Sequence, residues 1–320
     1  MNSPKFWQER NLFSYCLWPL SGIYYSLMQI DKTLKRFNTY QSELPVISVG
    51  NLSVGGSGKS PVVGFIAKCL IQEGETVAIL SRGYGASIKD NQQVSCEDNA
   101  TDVGDEPLML KRQIPEAQVW VGSNRVKSAK LAEQSGATCL ILDDGFQHWA
   151  LKRDMDIVLV DSIQGVGNGY MIPAGCLRES TKALKRADLI IGMNGENSLS
   201  GITLNLSVNK DDVASLTDHD VLAFTGIGIP EKFFNTLTEN GINPAVTQVF
   251  PDHHYYTNEE LDSLKKQADY QNLILVTTAK DSVKLPKGFC TVVNVDITGD
   301  TTALMDAVTF AIREKREIDS

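Results

Sequence analysis

Apolar residues in this chain gather into short unbroken runs separated by stretches with helical spacing. Runs at 46–49, 77–80, 119–121, 139–142, 156–161 and 189–191 are bounded by turn residues. They alternate with helical segments such as 124–134, the pattern of buried parallel strands with helices on both faces. A polar, irregular stretch at 205–217 reads as a hinge. Beyond it, strands are expected at 221–224, 273–276 and 291–295, and helices at 230–240, 258–268 and 302–316. The chain is therefore expected to form an α/β protein: a mostly parallel α/β/α sandwich over 41–212 and a smaller α/β domain over 213–320. Residues 1–40 are set apart as an N-terminal helical segment.

That N-terminal segment breaks the pattern. Residues 11–30 carry no charge and are crowded with Leu12, Phe13, Tyr15, Leu17, Trp18, Leu20, Ile23, Tyr24, Tyr25, Leu27, Met28 and Ile30. Lys5, Arg10, Lys32, Lys35 and Arg36 flank it against Glu9 and Asp31, a local excess of positive charge on a protein of net charge −9. No small-residue cleavage site marks a signal peptide. A span is long enough at about 20 residues, but Ser14, Pro19, Ser21, Gly22, Ser26 and Gln29 dilute it. An amphipathic helix lying in the plane of an anionic membrane surface fits best; a helix packed on its own domain is the competing reading.

The strand at 46–49 runs into Ser53-Val54-Gly55-Gly56-Ser57-Gly58-Lys59-Ser60, and Pro61 follows in the first turn of a helix. Glycines let backbone N–H groups approach phosphate oxygens, and the helix N-terminus adds partial positive charge. Lys59 can reach the β/γ-phosphates of ATP, and the Ser60 hydroxyl can ligate Mg²⁺. Ser53 occupies the position where the usual G-x-x-x-x-G-K-[ST] pattern has its first glycine. The fold expected is thus P-loop NTPase-like.

Other polar clusters sit where ligands bind such sheets, outside the carboxyl ends of the strands. The run 140–142 ends in Asp143-Asp144, in the form of a strand-end carboxylate that holds Mg²⁺; a helix cap with a solvated neighbour has the same sequence. Asp105 and Glu106 in G-D-E-P are either caps favoured by the helix dipole or a base and metal partner beside the triphosphate. Arg82, Arg125 and Arg178 suit phosphate recognition by forked donors, or structural ion pairs. Asp252-His253-His254 lies in the smaller domain, and His148 is as readily structural as functional. The acidic balance excludes the basic footprint of a nucleic-acid binder. The six cysteines form no C-x-x-C pair and the four histidines show no metal spacing. A dimerising ATPase switch at a membrane also uses a loop of this kind and stays open as the alternative function; no oligomer is predicted.

The motifs together carry a resemblance. In order they are V-G-N-L-S-V-G-G-S-G-K-S-P, S-R-G-Y-G, G-D-E-P, D-D-G-F-Q-H, R-D-M-D-I-V-L-V-D, G-N-G, P-A-G-C-L-R-E, T-G-I, F-P-D-H-H and T-T-A-K-D. Over nearly its whole length the chain resembles the tetraacyldisaccharide 4′-kinases of lipid A biosynthesis. Members of that family also carry a non-glycine residue at the Ser53 position. Cys176 stands where they usually have proline, and Ala279 where they often have glutamate; no role follows for the loop at Lys280-Asp281.

The resemblance implies transfer of the γ-phosphoryl of ATP to the 4′-hydroxyl of a lipid A disaccharide 1-phosphate. It places the enzyme peripherally on the cytoplasmic face of the inner membrane of a Gram-negative bacterium. It further implies Asp105 as the base and His253 as its orienting partner. Lys59 and the loop amides hold ATP; Ser60 and Asp144, supported by Asp143 and Glu106, hold Mg²⁺. Arg82, Arg125 and Arg178 contact the triphosphate or the substrate's 1-phosphate. With His253 and the phosphate loop on different domains, assembling the site is expected to require cleft closure.

Overall fold

A computed structural model describes residues 4–88 and 90–319; the outermost residues of the expected first and last segments lie outside that range. In chain order the strands are β1 (Val46–Asn51), β2 (Val77–Ser81), β3 (Gln92–Gln93), β4 (Gln118–Val121), β5 (Cys139–Asp143), β6 (Met155–Asp161), β7 (Leu189–Met193), β8 (Ile202–Val208), β9 (Val221–Thr225), β10 (Val246–Val249), β11 (Ile274–Thr278), β12 (Thr291–Val293) and β13 (Val295–Gly299). The helices are α1 (Leu12–Phe37), α2 (Lys59–Gln72), α3 (Ala100–Val103), α4 (Asp105–Gln113), α5 (Arg125–Gln134), α6 (Lys210–Leu216), α7 (Pro230–Glu239), α8 (Asn258–Gln271), α9 (Ala279–Ser282) and α10 (Thr301–Asp319).

The large sheet has the order β13-β8-β7-β6-β1-β5-β2-β4-β3, parallel except at its two edges, where β3 and β13 run antiparallel. Its central strands are buried on both faces, which is why they read as continuous apolar runs. One face packs Val62 and Ile66 of α2 and Leu108 of α4 with Leu304, Val308 and Ile312 of α10; the other packs Ala129 and Ala132 of α5. The smaller sheet, β10-β9-β11-β12, is wholly parallel.

Two sequence expectations change here. The stretch expected as a hinge holds the end of β8 and all of α6, and β8 pairs with β7 on one side and β13 on the other. The domain boundary expected at 212/213 also gives the chain's last portion to the smaller unit, yet β13 and α10 return to the large sheet. The physical reason is edge pairing: β8 would leave unpaired N–H and C=O groups, and β13 covers them.

Helix α1 forms as expected and begins with a capping box between Asn11 and Ser14. It docks through its few small polar residues: Ser21 Oγ donates to Met171 O at 2.7 Å, and Trp7 Nε1 just ahead of the helix donates to Pro173 O at 3.0 Å. Leu12, Phe13, Trp18, Ile23, Leu27 and Ile30 remain exposed. Among the described residues no helix is long and apolar enough to cross a membrane.

Candidate active site

Strands β1, β5 and β2 lie side by side and release their chains at the same edge, so the phosphate loop, Asp143-Asp144 and Ser81-Arg82 converge there. Ser53 pairs antiparallel with Leu177, and the Val54 N–H donates to Cys176 O at 2.8 Å. Pairing with that segment anchors the start of the loop and spends the Val54 N–H. Gly58 caps α2 at φ 78°, ψ 21°, a left-handed conformation that turns the following N–H groups of Lys59 and Ser60 inward.

Asp144 is held from three sides. Arg178 Nη1 donates to its Oδ2 at 2.7 Å, Lys59 Nζ lies 3.6 Å from Oδ1, and Arg125 Nη1 donates to its backbone O at 2.9 Å. Burial pushes its carboxyl up, but Lys59 and Arg178 outweigh burial and bring it down to about 2. Asp143 lies deeper, 4% exposed, and burial followed by the Glu106 charge pushes it up to about 7. Arg125 is 2% exposed, and burial pulls its guanidinium down to about 10. It braces the Asp144 loop from beneath, and its Nε is buried without a hydrogen-bond partner. Arg82 is exposed at the rim. His148 is half-buried and held neutral, pushed down to about 3 by desolvation and then by Arg125.

The second half of the site comes from both sheets. Gly104, at φ 91°, separates α3 from α4 so that Asp105 opens α4. His253 Nδ1 donates to Asp105 Oδ2 at 2.8 Å, and the His253 N–H donates to Gly226 O. Lys280 Nζ sits among four groups: Glu106 Oε1 at 3.2 Å, His253 Nε2 at 3.4 Å, Asp252 Oδ1 at 3.9 Å and Asp105 Oδ2 at 4.0 Å. Burial raises the Asp105 carboxyl, but the His253 hydrogen bond and the Lys280 charge more than offset it and hold it below its ordinary value. Glu106 thus faces a lysine as well as Asp143. The two units are bridged here and again by Lys232 and Asp161 at 2.7 Å, and the Asp105–His253 pair is formed in this state.

The sequence model described as LpxK, tetraacyldisaccharide-1-P 4′-kinase, matches residues 13–313. The chain belongs to the tetraacyldisaccharide-1-phosphate 4′-kinase family. It is 39% identical over 300 residues to the tetraacyldisaccharide 4′-kinase of Bradyrhizobium diazoefficiens, covering 89% of this chain and 87% of that one. To the same enzyme of Paramagnetospirillum magneticum it is 36% identical over 319 residues, covering 95% and 97%. The fold is similar to a crystal structure titled as the "apo" form of LpxK from Aquifex aeolicus in complex with ATP. The TM-score is 0.77 at 28% identity, covering 94% of this chain and 100% of that one. These likenesses support the kinase reading and give nothing to the ATPase switch.

A 4′-kinase of this family works on ATP, and the donor set here fits a Mg²⁺ ion beside it. Oδ1 of Asp143 and Oδ1 of Asp144 are buried without hydrogen-bond partners. Hard carboxylate oxygens with a serine hydroxyl suit Mg²⁺, which completes its shell with water and phosphate. Sequence reasoning missed Lys280, Asp281 and Asn51. Asp281 Oδ2 accepts from Thr225 Oγ1, Gly226 N and Thr278 Oγ1 while Lys284 Nζ meets Oδ1 at 2.9 Å, fixing the loop behind His253 and the turn that carries Lys280. The T-G-I and T-T-A-K-D motifs were its only signal. Asn51, fully buried at the end of β1, has both side-chain amide atoms unpartnered.

Proposed function

We propose that this protein transfers the γ-phosphoryl group of ATP to the 4′-hydroxyl of a tetraacylated disaccharide 1-phosphate. The observation that carries the reading is the 2.8 Å contact between His253 Nδ1 and Asp105 Oδ2 beside the phosphate loop. Phosphoryl transfer asks the protein mainly for positioning and charge neutralisation. Gly55, Gly56, Ser57, Gly58 and Lys59 cradle the phosphates, and Arg178 and Arg82 lie at the rim. Ser60 and Asp144, with Asp143 and Glu106 behind them, hold Mg²⁺, which supplies charge neutralisation on the transferring group. Asp105 accepts the proton of the attacking hydroxyl, and His253 orients the carboxylate. Lys280 keeps Asp105 ionised and so ready to act as a base.

The acceptor carries acyl chains, and the exposed apolar face of α1 suits a membrane surface. Lys32, Lys35 and Arg36 follow it toward anionic lipid. The protein is thus read as peripheral on the cytoplasmic face of a Gram-negative inner membrane. Radiolabelled ATP incubated with the detergent-dispersed disaccharide 1-phosphate tests the activity. Label in the lipid supports it, and inorganic phosphate as the sole product replaces it with the ATPase switch. Co-sedimentation with phosphatidylglycerol vesicles, with and without residues 1–40, tests the anchor: binding that survives the deletion leaves α1 a packed helix.

A further inference from the structure

The phosphate loop is gripped from outside at Val54. Its N–H donates to Cys176 O at 2.8 Å, and its C=O accepts from Gln164 Nε2 at 3.2 Å. A trans peptide sets its C=O and N–H on opposite sides, so the hold on Val54 O fixes the direction of the Gly55 N–H that follows. Gly55 lies at φ 123°, and a Cβ there would stand 3.4 Å from Gln164 Oε1. Gln164 is placed by Asp161, the last residue of β6, the strand beside β1. Asp161 Oδ1 accepts the Ile163 N–H at 3.0 Å and the Gln164 N–H at 2.9 Å, which shapes the turn leaving the strand.

The other oxygen of that carboxylate is engaged by the smaller unit. Lys232 Nζ, on α7, donates to Asp161 Oδ2 at 2.7 Å, and Asp161 is only 4% exposed. The lysine gives its own helix no support, because it stands in the first turn after Pro230 and Glu231, where the helix dipole disfavours a cation. Asp161 does need it: a buried carboxylate is costly without a countercharge. Helix α7 also follows directly on the loop whose Gly226 accepts the His253 N–H through its O and donates its own N–H to Asp281. The segment 225–232 is thus tied at its start to the Asp105–His253 pair and at its end, through Asp161 and Gln164, to the phosphate loop.

We propose that Lys232 is a positioning residue for ATP, setting the phosphate loop from the smaller unit through Asp161 and Gln164. The inference rests on the reading of that loop as the ATP site, and it is tested by binding, which needs no acceptor. Dissociation constants for ATP with Mg²⁺ are measured by calorimetry, and Tm is followed alongside. Gln164→Ala should weaken ATP by about five- to tenfold, the value of the one hydrogen bond at Val54 O. Lys232→Met should weaken it by a similar factor, while Lys232→Arg, which keeps the charge, stays within about threefold of wild type. Because both act through the same bond, the Lys232→Met/Gln164→Ala variant should bind no more weakly than the weaker single variant. An unchanged ATP affinity in Lys232→Met with a lowered Tm overturns the proposal and leaves the lysine a tether between units. Losses that multiply in the double variant overturn it too, since Lys232 then acts on the nucleotide independently of Gln164. Wild-type protein that binds ATP but transfers no label refutes the acceptor reading alone, and the relay is decided by the same affinities.

Discussion

Asp105 and His253 should behave as one device, and a double-mutant cycle measures whether they do. Asp105 is 4% exposed and accepts from His253 Nδ1 at 2.8 Å. As the base, its loss in Asp105→Ala should lower kcat by about 10²–10⁴-fold. His253 touches the reaction only through that carboxylate. A charged hydrogen bond is worth about 1.5–3 kcal/mol, so His253→Ala should lower kcat by roughly 10- to 150-fold at about 1.4 kcal/mol per decade. Once Asp105 is gone, His253 has nothing left to orient, so the double variant should be as slow as Asp105→Ala alone. The assay is initial-rate transfer of label from ATP to the lipid, with ATP affinity measured separately by calorimetry to show that the nucleotide half is intact. Losses that multiply in the double variant would show that the two residues act independently. Near-full turnover in Asp105→Ala would remove it as the base.

The remaining outcomes follow from burial and backbone. Asp281→Ala leaves the fully buried Lys284 ammonium uncompensated and should cost about 3–5 kcal/mol in denaturant unfolding; a cost under about 1 kcal/mol would mean that water reaches the lysine. Burial raises the Asp281 carboxyl, but Lys284 and the hydroxyl donors outweigh it and hold it below 3.8. Its stabilisation is therefore complete above that value and lost as pH falls through the folded pKa. An acid titration of Tm should accordingly be flatter for Asp281→Asn than for wild type. Gly58→Ala forces a side chain to φ 78° with its Cβ 3.0 Å from Met193 Cε; ATP affinity by calorimetry should fall, with about 1–2 kcal/mol of added backbone strain. Trp18→Asp/Ile23→Asp should weaken vesicle co-sedimentation and leave Tm unchanged, since both side chains are exposed; a lowered Tm would show that they pack on the body.

What could be read from the chain was what is contiguous in it. The phosphate loop needs only a strand, glycines and a helix start in succession, and each has a local signature. The exposed face of α1 was legible for the same reason, since a charge-free aromatic stretch remains one whatever it docks against. Arg125 shows what local reading leaves out: an arginine at a helix start carries no sign that α5 packs against the sheet and buries it. The last strand and helix were assigned to the wrong unit because an antiparallel edge pairing with β8 is a contact between distant parts of the chain. Lys280 was invisible as a site residue, because its four partners arrive from α4 and from the loop before α8 only when the two sheets meet.

The segment 173–179 then acquires a meaning that neither half of the site gives it alone. Ser53 pairs with Leu177, and Arg178 N donates to Leu52 O, so the segment runs as a strand beside the phosphate loop. Successive side chains of an extended segment point to opposite sides. Arg178 accordingly turns toward Asp144, and Glu179 turns toward Arg186, whose guanidinium lies over the Trp149 ring. One short extended segment thereby ties the phosphate-loop end of β1 to the loop that follows Asp144.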